Sequence, residues 1–255
     1  MPPKGFKTAF ELLEEERREE VVSTGVEELD AALSGEGLRP GTVYEIVGES
    51  SVGKSQLCFQ ICVNATNNRS RREVLYIDTE GSFRTERIVQ IATDRDPLAN
   101  VSGILERINL CRSTDAVELS SALNQATQIA EANPRIGLVV LDSIAFPIRV
   151  ESESERRKTL IEEVSQQLLK FAFDLRCIVI VVNQVTTEVS GMTTSALGSS
   201  WSHRCTIRMW MVSDPHTGKS IHITKSPFDP LKQIYYKITA GGVSSIRPDC
   251  VQEAR

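Results

Sequence analysis

One stretch decides the fold: Gly48-Glu49-Ser50-Ser51-Val52-Gly53-Lys54-Ser55, a complete G-x-x-x-x-G-K-S sequence. Residues 42–47 before it form an apolar, strand-like run, and residues 56–63 after it form an apolar, helix-like run. The backbone N–H groups of such a loop surround a phosphate chain at the N-terminus of a helix, where the helix dipole favours negative charge. A Gly/Ser turn without a ligand is the alternative, but the strand–loop–helix context favours binding of a nucleoside triphosphate.

The residues of this phosphate loop have different expected roles. Gly48 and Gly53 permit backbone angles and a close approach to phosphate that a Cβ would obstruct. Lys54 is expected to reach the β- and γ-phosphates, and the Ser55 hydroxyl to hold Mg²⁺. Every residue from Gly48 to Gln56 is therefore a candidate for contact with the nucleotide.

Length and composition fit one large α/β domain with a short arm. The chain has 255 residues, of which 40% are hydrophobic and 25% are charged, as is usual for a soluble globular protein. No apolar run approaches the roughly 18 residues that cross a bilayer, and the first residues lack the apolar segment of a signal peptide. The net charge of −5 excludes a surface that attracts nucleic acid as a whole, so local patches or neighbouring subunits must supply any DNA contact.

The six cysteines indicate a reduced, intracellular protein. They lie mostly within apolar runs, at positions 58, 62, 111, 177, 205 and 250. Cys58 and Cys62 are one helical turn apart, but no second pair has the spacing of a zinc site. We therefore expect free thiols in the core rather than a metal centre or a set of disulfides.

The chain divides into an arm, residues 1–22, and a nucleotide-binding domain, residues 23–255. Residues 8–20 are predicted to form a charged helix. Thr24-Gly25-Val26-Glu27 has the pattern of a capping box and predicts a second helix as far as about residue 33. Beyond the loop, strands are predicted over 73–78, 107–111, 137–142 and 177–183, alternating with helices over 84–93, 114–132 and 155–175.

The strand pattern specifies the fold class. Residues 138–141 and 178–182 are continuously apolar, which is typical of parallel strands buried on both faces. The tail differs, since residues 206–212, 220–224 and 233–239 are predicted to be antiparallel strands joined by turns. The sequence therefore predicts an α/β fold with a mainly parallel central sheet, flanked by helices and extended by antiparallel strands at one edge.

Three polar positions at strand ends could supply hydrolytic chemistry. Asp142 ends an apolar strand and could orient the magnesium shell through water, although many strands end in Asp. Glu80 follows another strand and could activate the attacking water as a general base, or it could be a solvated strand-end acid. The amide of Gln184, in Asn183-Gln184, could sense the γ-phosphate and relay its presence to the next loop, or it could simply cap the strand.

These motifs, in this order, resemble the RecA-type recombinase family. The phosphate loop is followed by Asp-Thr-Glu-Gly-Ser-Phe-Arg at 78–84, by the strand ending at Asp142 and by Asn183-Gln184. Ala-Leu-Gly-Ser-Ser-Trp-Ser-His at 196–203, with Thr-Ile-Arg at 206–208, is similar to the eukaryotic Rad-fifty-one paralogues. Residues 142–149 and 9–14 are most similar to paralogue C. The resemblance extends over about residues 5–245 without the family's small N-terminal helical domain, so we expect a RecA-like ATPase core.

The resemblance implies ATP and Mg²⁺ as cofactors and assigns roles to single residues. It implies that Lys54, Glu80 and Gln184 are catalytic and that Ser55 and Asp142 serve the metal. Arg87 matches the arginine that stacks on the adenine, although a surface helix charge is the alternative.

The resemblance also implies contacts between subunits. Lys225-Ser226-Pro227 matches a segment that caps the nucleotide of the neighbouring subunit, where a fixed lysine charge could replace a bound cation. Phe6 and Ala9, in Phe6-Lys7-Thr8-Ala9, fit a motif by which one subunit adds an edge strand to the next and inserts an aromatic anchor.

The expected DNA-facing loops depart from the family pattern. The first is expected near residues 147–159 and contains Arg149, Arg156, Arg157 and Lys158, but also three glutamates. The second, near residues 185–198, contains Glu188 and no lysine or arginine. A loop that follows DNA phosphates alone is normally more basic, which puts independent strand exchange in doubt.

The resemblance thus implies an ATP-hydrolysing subunit of a recombinase-paralogue complex, with weak DNA-dependent ATPase activity alone. It implies a role in double-strand-break repair by homologous recombination and in Holliday-junction and replication-fork processing. The implied partners are other paralogues, the strand-exchange recombinase and single-stranded or branched DNA bound through a composite surface, in the nucleus and also the cytoplasm, without a membrane. The alternatives are a self-sufficient filament-forming recombinase, a scaffold whose nucleotide is rarely hydrolysed, and a signalling ATPase unconnected with DNA.

Overall fold

One long mixed sheet is the centre of the computed structural model, which describes residues 7–33, 35–67, 72–151, 153–187, 193–197, 201 and 203–246. The helices of this part of the chain are α1 (Ala9–Glu16), α2 (Glu27–Ala32), α3 (Lys54–Asn67), α4 (Thr85–Arg95), α5 (Val101–Leu105), α6 (Ala116–Ala132), α7 (Ala145–Val150) and α8 (Ser154–Phe173). The strands are β1 (Val43–Gly48), β2 (Glu73–Asp78), β3 (Ile108–Arg112), β4 (Ile136–Asp142), β5 (Ile178–Thr187), β6 (Thr193–Ser195), β7 (Ile207–Asp214), β8 (Gly218–Lys225), β9 (Gln233–Thr239) and β10 (Gly242–Ser245).

The strand order places β1 in the middle of the sheet. Along the sheet the order is β10-β9-β8-β7-β1-β5-β4-β2-β3, and the short β6 pairs with β5 alone. The strands from β7 to β3 in this order are parallel to one another. β8, β9 and β10 continue from β7 as antiparallel strands. The predicted fold class is confirmed, including the antiparallel edge.

Two apolar cores cover the two faces of the sheet. Ile178, Ile180 and Val182 of β5 belong to the core beneath α2, α3 and α4, whereas Val179 and Val181 belong to the core beneath α6 and α8. Successive side chains of a strand point to opposite faces, so a strand covered on both sides must be apolar at every position. This is the physical reason for the continuous apolar runs in the sequence.

The capping box predicted at Thr24 is wrong. Helix α2 begins after Val26, and no side chain of the described residues caps its first turn. The Thr24 hydroxyl instead donates to the Asp30 carboxylate at 2.6 Å and accepts from the Val26 N–H at 3.2 Å. A capping box does form in the arm, where Thr8 and Glu11 bond reciprocally at the start of α1.

The loop predicted over residues 147–159 is also wrong as a structural element. Helix α7 extends through Val150 and helix α8 begins at Ser154, so helices occupy most of this stretch. The Glu, Arg and Lys residues at 155–158 are good helix formers, and their charge does not itself indicate a loop. The sequence also does not predict α5, α7, β6 or β10.

The five described cysteines form no disulfide with one another. Cys58, Cys62, Cys177 and Cys205 are buried, while Cys111 is partly exposed. Burial raises the pKa of the Cys177 thiol to about 11. Cys250 lies outside the described residues. None of the helices in the described ranges is both long and apolar enough to cross a membrane.

Candidate nucleotide-binding site

The predicted phosphate loop lies where a parallel sheet normally presents a ligand site, at the carboxyl end of β1. The loop leads into α3, whose first residue is Lys54. A cleft of about 360 Å³ opens beside it. The described residues lining the cleft are Ser50, Ser51, Gly53, Lys54, Ser55, Gln56, Glu80, Ser82, Asp142, Val182, Gln184 and Ile238.

Two glycines shape the loop against the strands beside it. Gly53 has a φ of 115°, and a Cβ there would lie 2.7 Å from Cδ1 of Ile238 on β9. A Cβ on Gly48 would lie 2.5 Å from the carbonyl oxygen of Met211 on β7. A side chain at Gly48 would therefore displace the loop or β7, whereas one at Gly53 would displace the end of the Ile238 side chain and strain the backbone at its positive φ.

The ammonium group of Lys54 lies inside the curve of the loop. Its Nζ donates to the carbonyl oxygens of Gly48 at 2.8 Å and Glu49 at 2.6 Å. Burial lowers the pKa of Lys54, while Asp142 and Glu80 oppose that shift. A cation held near the loop N–H groups suits the β- and γ-phosphates of a nucleotide.

The two predicted magnesium-site residues lie in direct contact. Ser55 Oγ donates to Asp142 Oδ2 at 2.6 Å, although the two residues come from α3 and β4. Burial raises the pKa of Asp142, and the hydrogen bonds from Ser55 and Tyr76 oppose the shift. Hydroxyl and carboxylate oxygens are the hard ligands that Mg²⁺ prefers, so this donor set fits the metal.

A second polar atom in the cleft is suited to a ligand. The Ser82 hydroxyl is buried and has no hydrogen-bond partner among the described residues. Buried hydroxyls normally have a partner, and Ser82 lines the cleft. The Ser82 hydroxyl could therefore donate a hydrogen bond to a nucleotide bound in the cleft, or to a water molecule beside that nucleotide.

Glu80 lies in a chain of hydrogen bonds that crosses the cleft. Its Oε1 accepts from Ser143 Oγ and, at 2.6 Å, from Gln184 Nε2. The other end of the Gln184 amide accepts from Arg149 on α7. The structure thus brings together two of the predicted catalytic residues and one of the four predicted DNA-facing cations.

The strand-end acid Asp78 holds the turn that carries Glu80. Its carboxylate accepts from the backbone N–H groups of Glu80, Ser82 and Phe83 at 3.1–3.2 Å. The Asp-Thr-Glu-Gly-Ser-Phe stretch is therefore a carboxylate-capped turn that fixes Glu80 at the cleft. Thr79 joins this turn to the residue that follows β4, since its hydroxyl accepts from the Ser143 N–H at 2.9 Å.

Arg87 does not line the cleft, but it contacts Gln56, which does. Its guanidinium donates to Gln56 at 2.6 Å and to the carbonyls of Thr239 and Ala240 at 2.7 Å. A further N–H group bonds to Gln90. Most of its donors are occupied, so the predicted contact with adenine would use the flat face of the guanidinium.

A buried carboxylate in β1 was missed by the sequence analysis. Glu45 is fully buried, and its Oε1 accepts from Asn183 Nδ2 and Trp201 Nε1, both at 2.8 Å. Its Oε2 accepts from Arg208 Nε at 2.6 Å and from the Cys205 thiol at 3.3 Å. The sequence signal for this buried carboxylate is the single acid within the apolar stretch 43–47.

The predicted cap for a neighbouring nucleotide does not line this cleft. In the register of the sheet, Lys225 of β8 lies opposite Arg208, near the start of β7. The phosphate loop leaves β1 further along the sheet, where Gly48 lies opposite Met211 of β7. Lys225 Nζ donates to the Cys205 carbonyl, and Ser226 Oγ accepts from the N–H groups of the turn that follows Pro227. The cap remains a prediction about another subunit's site.

The other three cations that are predicted to face DNA are bonded to groups of their own helix region. Arg156 pairs with Glu153 at 3.1 Å and Lys158 with Glu155 at 2.9 Å, both on the surface. Arg157 donates to the carbonyl oxygen of Glu151 at 2.7 Å. Within the described residues these three side chains do not reach the cleft.

The anchor residue Phe6 lies outside the described residues, and its role remains a prediction. Ala9 is the first residue of α1, which buries none of its side chains. Arg176 holds the arm to the core, because its guanidinium donates to both carboxylate oxygens of Glu19 at 2.7–2.8 Å.

Comparison with known proteins identifies the family of this chain. A family model described as Rad51 matches residues 17–246. The chain is 30% identical over 262 residues to "DNA repair protein RAD51 homolog 3", paralogue C, of Cricetulus griseus, across 92% of this chain and 71% of that protein. A crystal structure of the RadB recombinase matches with a TM-score of 0.76 and 27% identity, across 89% of this chain and 100% of that chain. The chain therefore belongs to the Rad51 family.

Proposed function

We propose that this chain binds ATP with Mg²⁺ and hydrolyses it as one subunit of a recombinase-paralogue complex in DNA repair. One observation carries the nucleotide chemistry: Lys54, the Ser55–Asp142 pair, Glu80 and Gln184 converge on one cleft at the end of β1. Family membership and the names of the related repair protein and recombinase support a role in recombination.

The proposed chemistry assigns one task to each group. The loop N–H groups and Lys54 bind the phosphates, and Ser55 with Asp142 would hold Mg²⁺. Bound Mg²⁺ would neutralise charge on the β- and γ-phosphates. Glu80 accepts the proton of the attacking water, and the bond from Gln184 Nε2 at 2.6 Å fixes that carboxylate near the cleft.

Two variants test nucleotide binding and hydrolysis separately. ATP with Mg²⁺ is expected to raise the melting temperature of the wild type, because a ligand of the folded state stabilises it by mass action. Lys54→Ala is expected to lose this shift. The control is Lys219→Ala, since Lys219 contacts the loop carbonyl of Ser51 at 3.5 Å from outside the cleft. An equal shift in Lys54→Ala and wild type would refute the assignment.

Glu80→Gln tests the chemistry, because the change removes the basic carboxylate and preserves its size. ATP binding should persist while phosphate release falls by about 10²–10⁴-fold, as for a lost general base. Glu86→Gln, an exposed change on α4, is the control. Wild-type turnover in Glu80→Gln would exclude the general-base role, and no turnover in the wild type with its partners would favour the scaffold alternative.

The charge pattern supports a complex rather than a solitary filament. Two of the four predicted DNA-facing cations, Arg156 and Lys158, are already paired with nearby carboxylates, so these two offer little net charge to phosphates. The proposed partners are other paralogues, the strand-exchange recombinase and DNA on a composite surface. Holliday-junction and replication-fork processing and a nuclear location, with some protein in the cytoplasm, belong to the same proposal, and imaging of the tagged chain after DNA damage tests the location.

Phe6 provides the test of assembly. Phe6→Glu would place a charge in the proposed apolar pocket of the next subunit, and loss of a buried aromatic anchor commonly costs about 2 kcal/mol or more. Co-purification with the other paralogues is therefore expected to fail. Phe10→Glu is the matched control, since Phe10 is an exposed aromatic residue of the same arm. Normal assembly of Phe6→Glu would refute the anchor, and long ATP-dependent filaments of the wild type alone on single-stranded DNA would refute the mediator role.

A further inference from the structure

The carboxylate of Asp142 is held from two sides by two hydroxyl groups. Ser55 Oγ donates to its Oδ2 at 2.6 Å from the cleft, and Tyr76 Oη donates to the same oxygen at 2.7 Å from within the core. Tyr76 is on β2, is fully buried and does not line the cleft. Its hydrogen bond to Asp142 therefore connects its hydroxyl to the proposed magnesium site.

The ring of Tyr76 is fixed by two other aromatic rings. Its centroid lies 4.9 Å from that of Phe83, edge to face, and 5.9 Å from that of Phe59. Phe59 and Phe83 also contact each other, at 5.3 Å. Phe59 belongs to α3, the helix that begins at Lys54, and Phe83 closes the turn that carries Glu80. The ring of Tyr76, and with it the hydroxyl, is thus held in place by helix α3 and by the turn that carries Glu80.

We propose that Tyr76 is a positioning residue for the magnesium site, since its hydroxyl fixes the Asp142 carboxylate toward Ser55. The inference rests on the proposed binding of ATP with Mg²⁺. Groups that orient a metal-site residue from outside commonly change metal affinity by about 10–100-fold when they are removed. Without Tyr76 Oη, the side chain of Asp142 would be held toward the cleft by Ser55 alone among the donors of the described residues.

A purely structural role makes a different prediction. A buried tyrosine hydroxyl needs a hydrogen-bond partner, and Asp142 could serve only that purpose. Removal of the hydroxyl would then lower the stability of the fold without changing the response to Mg²⁺. Tyr44 offers the matched control, because it is equally buried, lies on β1 and accepts from the Arg39 N–H at 2.8 Å, a contact that does not involve the magnesium site.

The experiment compares wild type, Tyr76→Phe and Tyr44→Phe. Mg²⁺ is titrated at a fixed, saturating concentration of ADP, and the melting temperature gives the Mg²⁺ concentration for half of the stabilisation. We expect Tyr76→Phe to raise this midpoint by about tenfold, while Tyr44→Phe leaves it unchanged. ADP binding without metal should be equal in all three proteins.

The outcomes separate this inference from the function on which it rests. If the wild type shows no stabilisation by nucleotide, the proposed function fails. If the wild type responds and Tyr76→Phe has the same Mg²⁺ midpoint, the positioning role of Tyr76 is overturned.

A double-mutant comparison shows whether Tyr76 acts through Asp142. In an Asp142→Asn background, Tyr76→Phe should add little to the shift in midpoint, whereas independent effects would add. A crystal structure of the wild type with Mg²⁺ and ADP would test the same inference without any substitution. The inference requires Tyr76 Oη and Asp142 Oδ2 to remain within hydrogen-bonding distance, and an Asp142 side chain that has left Tyr76 would overturn it.

Discussion

Removal of Arg208 tests how the centre of the sheet is stabilised. Its Nε donates to Glu45 Oε2 at 2.6 Å, and the Arg208 side chain is 14% exposed while that of Glu45 is 0% exposed. Arg208→Met keeps most of the apolar stem and removes the charge. Glu45 would remain in the core as a carboxylate without a counter-charge, which is far less favourable than the intact pair.

The expected loss follows from the partners that remain. Breaking a buried ion pair by removing one member typically costs about 3–5 kcal/mol. Asn183, Trp201 and Cys205 would still donate to Glu45, so we expect the lower end, about 3 kcal/mol. For a chain of this size that loss corresponds to a decrease in melting temperature of about 6–12 °C.

The assay is urea unfolding without nucleotide, and its matched control is Arg204→Met. Arg204 pairs with Glu162 at 2.5 Å, but both side chains are more than a third exposed. An exposed pair contributes about 0–1 kcal/mol, so the control should unfold almost as the wild type does. Equal losses in the two variants would refute the distinction between the buried pair and the surface pair.

A stronger test is whether the effect of Glu45→Gln on the free energy of unfolding changes sign between the wild type and Arg208→Met. In the wild type, Glu45→Gln should destabilise the fold, because Arg208 loses its counter-charge. In the Arg208→Met background the same change should stabilise it, because Gln removes the unpaired charge and still accepts from Asn183 and Trp201. A double variant less stable than Arg208→Met would show that charge pairing is not what holds this site.

Two further predictions concern the loop and the response to acid. Gly53→Ala should lose about 1–3 kcal/mol of stability and weaken nucleotide binding, because Gly53 has a φ of 115° and the added Cβ would meet Ile238. The control is Gly218→Ala, where φ is 81° but the space around the added Cβ is open. In thermal unfolding this control should lose less stability than Gly53→Ala. Burial lowers the pKa of His222, so below the ordinary value of about 6.5 the unfolded chain binds a proton before the folded chain does, and stability falls as the pH decreases through this interval. His222→Gln should therefore lose less stability than the wild type between neutral and mildly acidic pH in urea unfolding, and equal losses in the two proteins would contradict this assignment.

The sequence predicts the features that depend on residues close together in the chain. The phosphate loop, the strand–helix alternation and the apolar strands all follow from local spacing, and the structure confirms the resulting fold class. The errors also have local causes. Glu27 follows Thr24 at the spacing of a capping box, but the Thr24 hydroxyl bonds to Asp30, six residues along the chain.

The groups that orient the site could not be predicted, because they meet only through the strand order. Tyr76 reaches Asp142 because β2 pairs with β4, and Glu45 meets Arg208 because β1 pairs with β7. Neither pairing follows from order along the chain. In the sheet β1 is bordered by β5 and β7, and β2 is bordered by β4 and β3. A buried acid in an apolar strand signals that a partner exists but does not identify it.

The central position of β1 connects the buried pair to the phosphate loop. Asn183 donates to Glu45 and also accepts from the backbone N–H of Gln184 at 2.8 Å, so the same amide contacts the buried acid and the residue that bonds Glu80. The loop leaves β1 three residues after Glu45. A chain that lost the Arg208 charge would therefore be disturbed at the base of the cleft as well as in stability. For this reason the unfolding measurements on Arg208→Met should precede any interpretation of its nucleotide binding, because a weakened fold and a weakened site would share one cause.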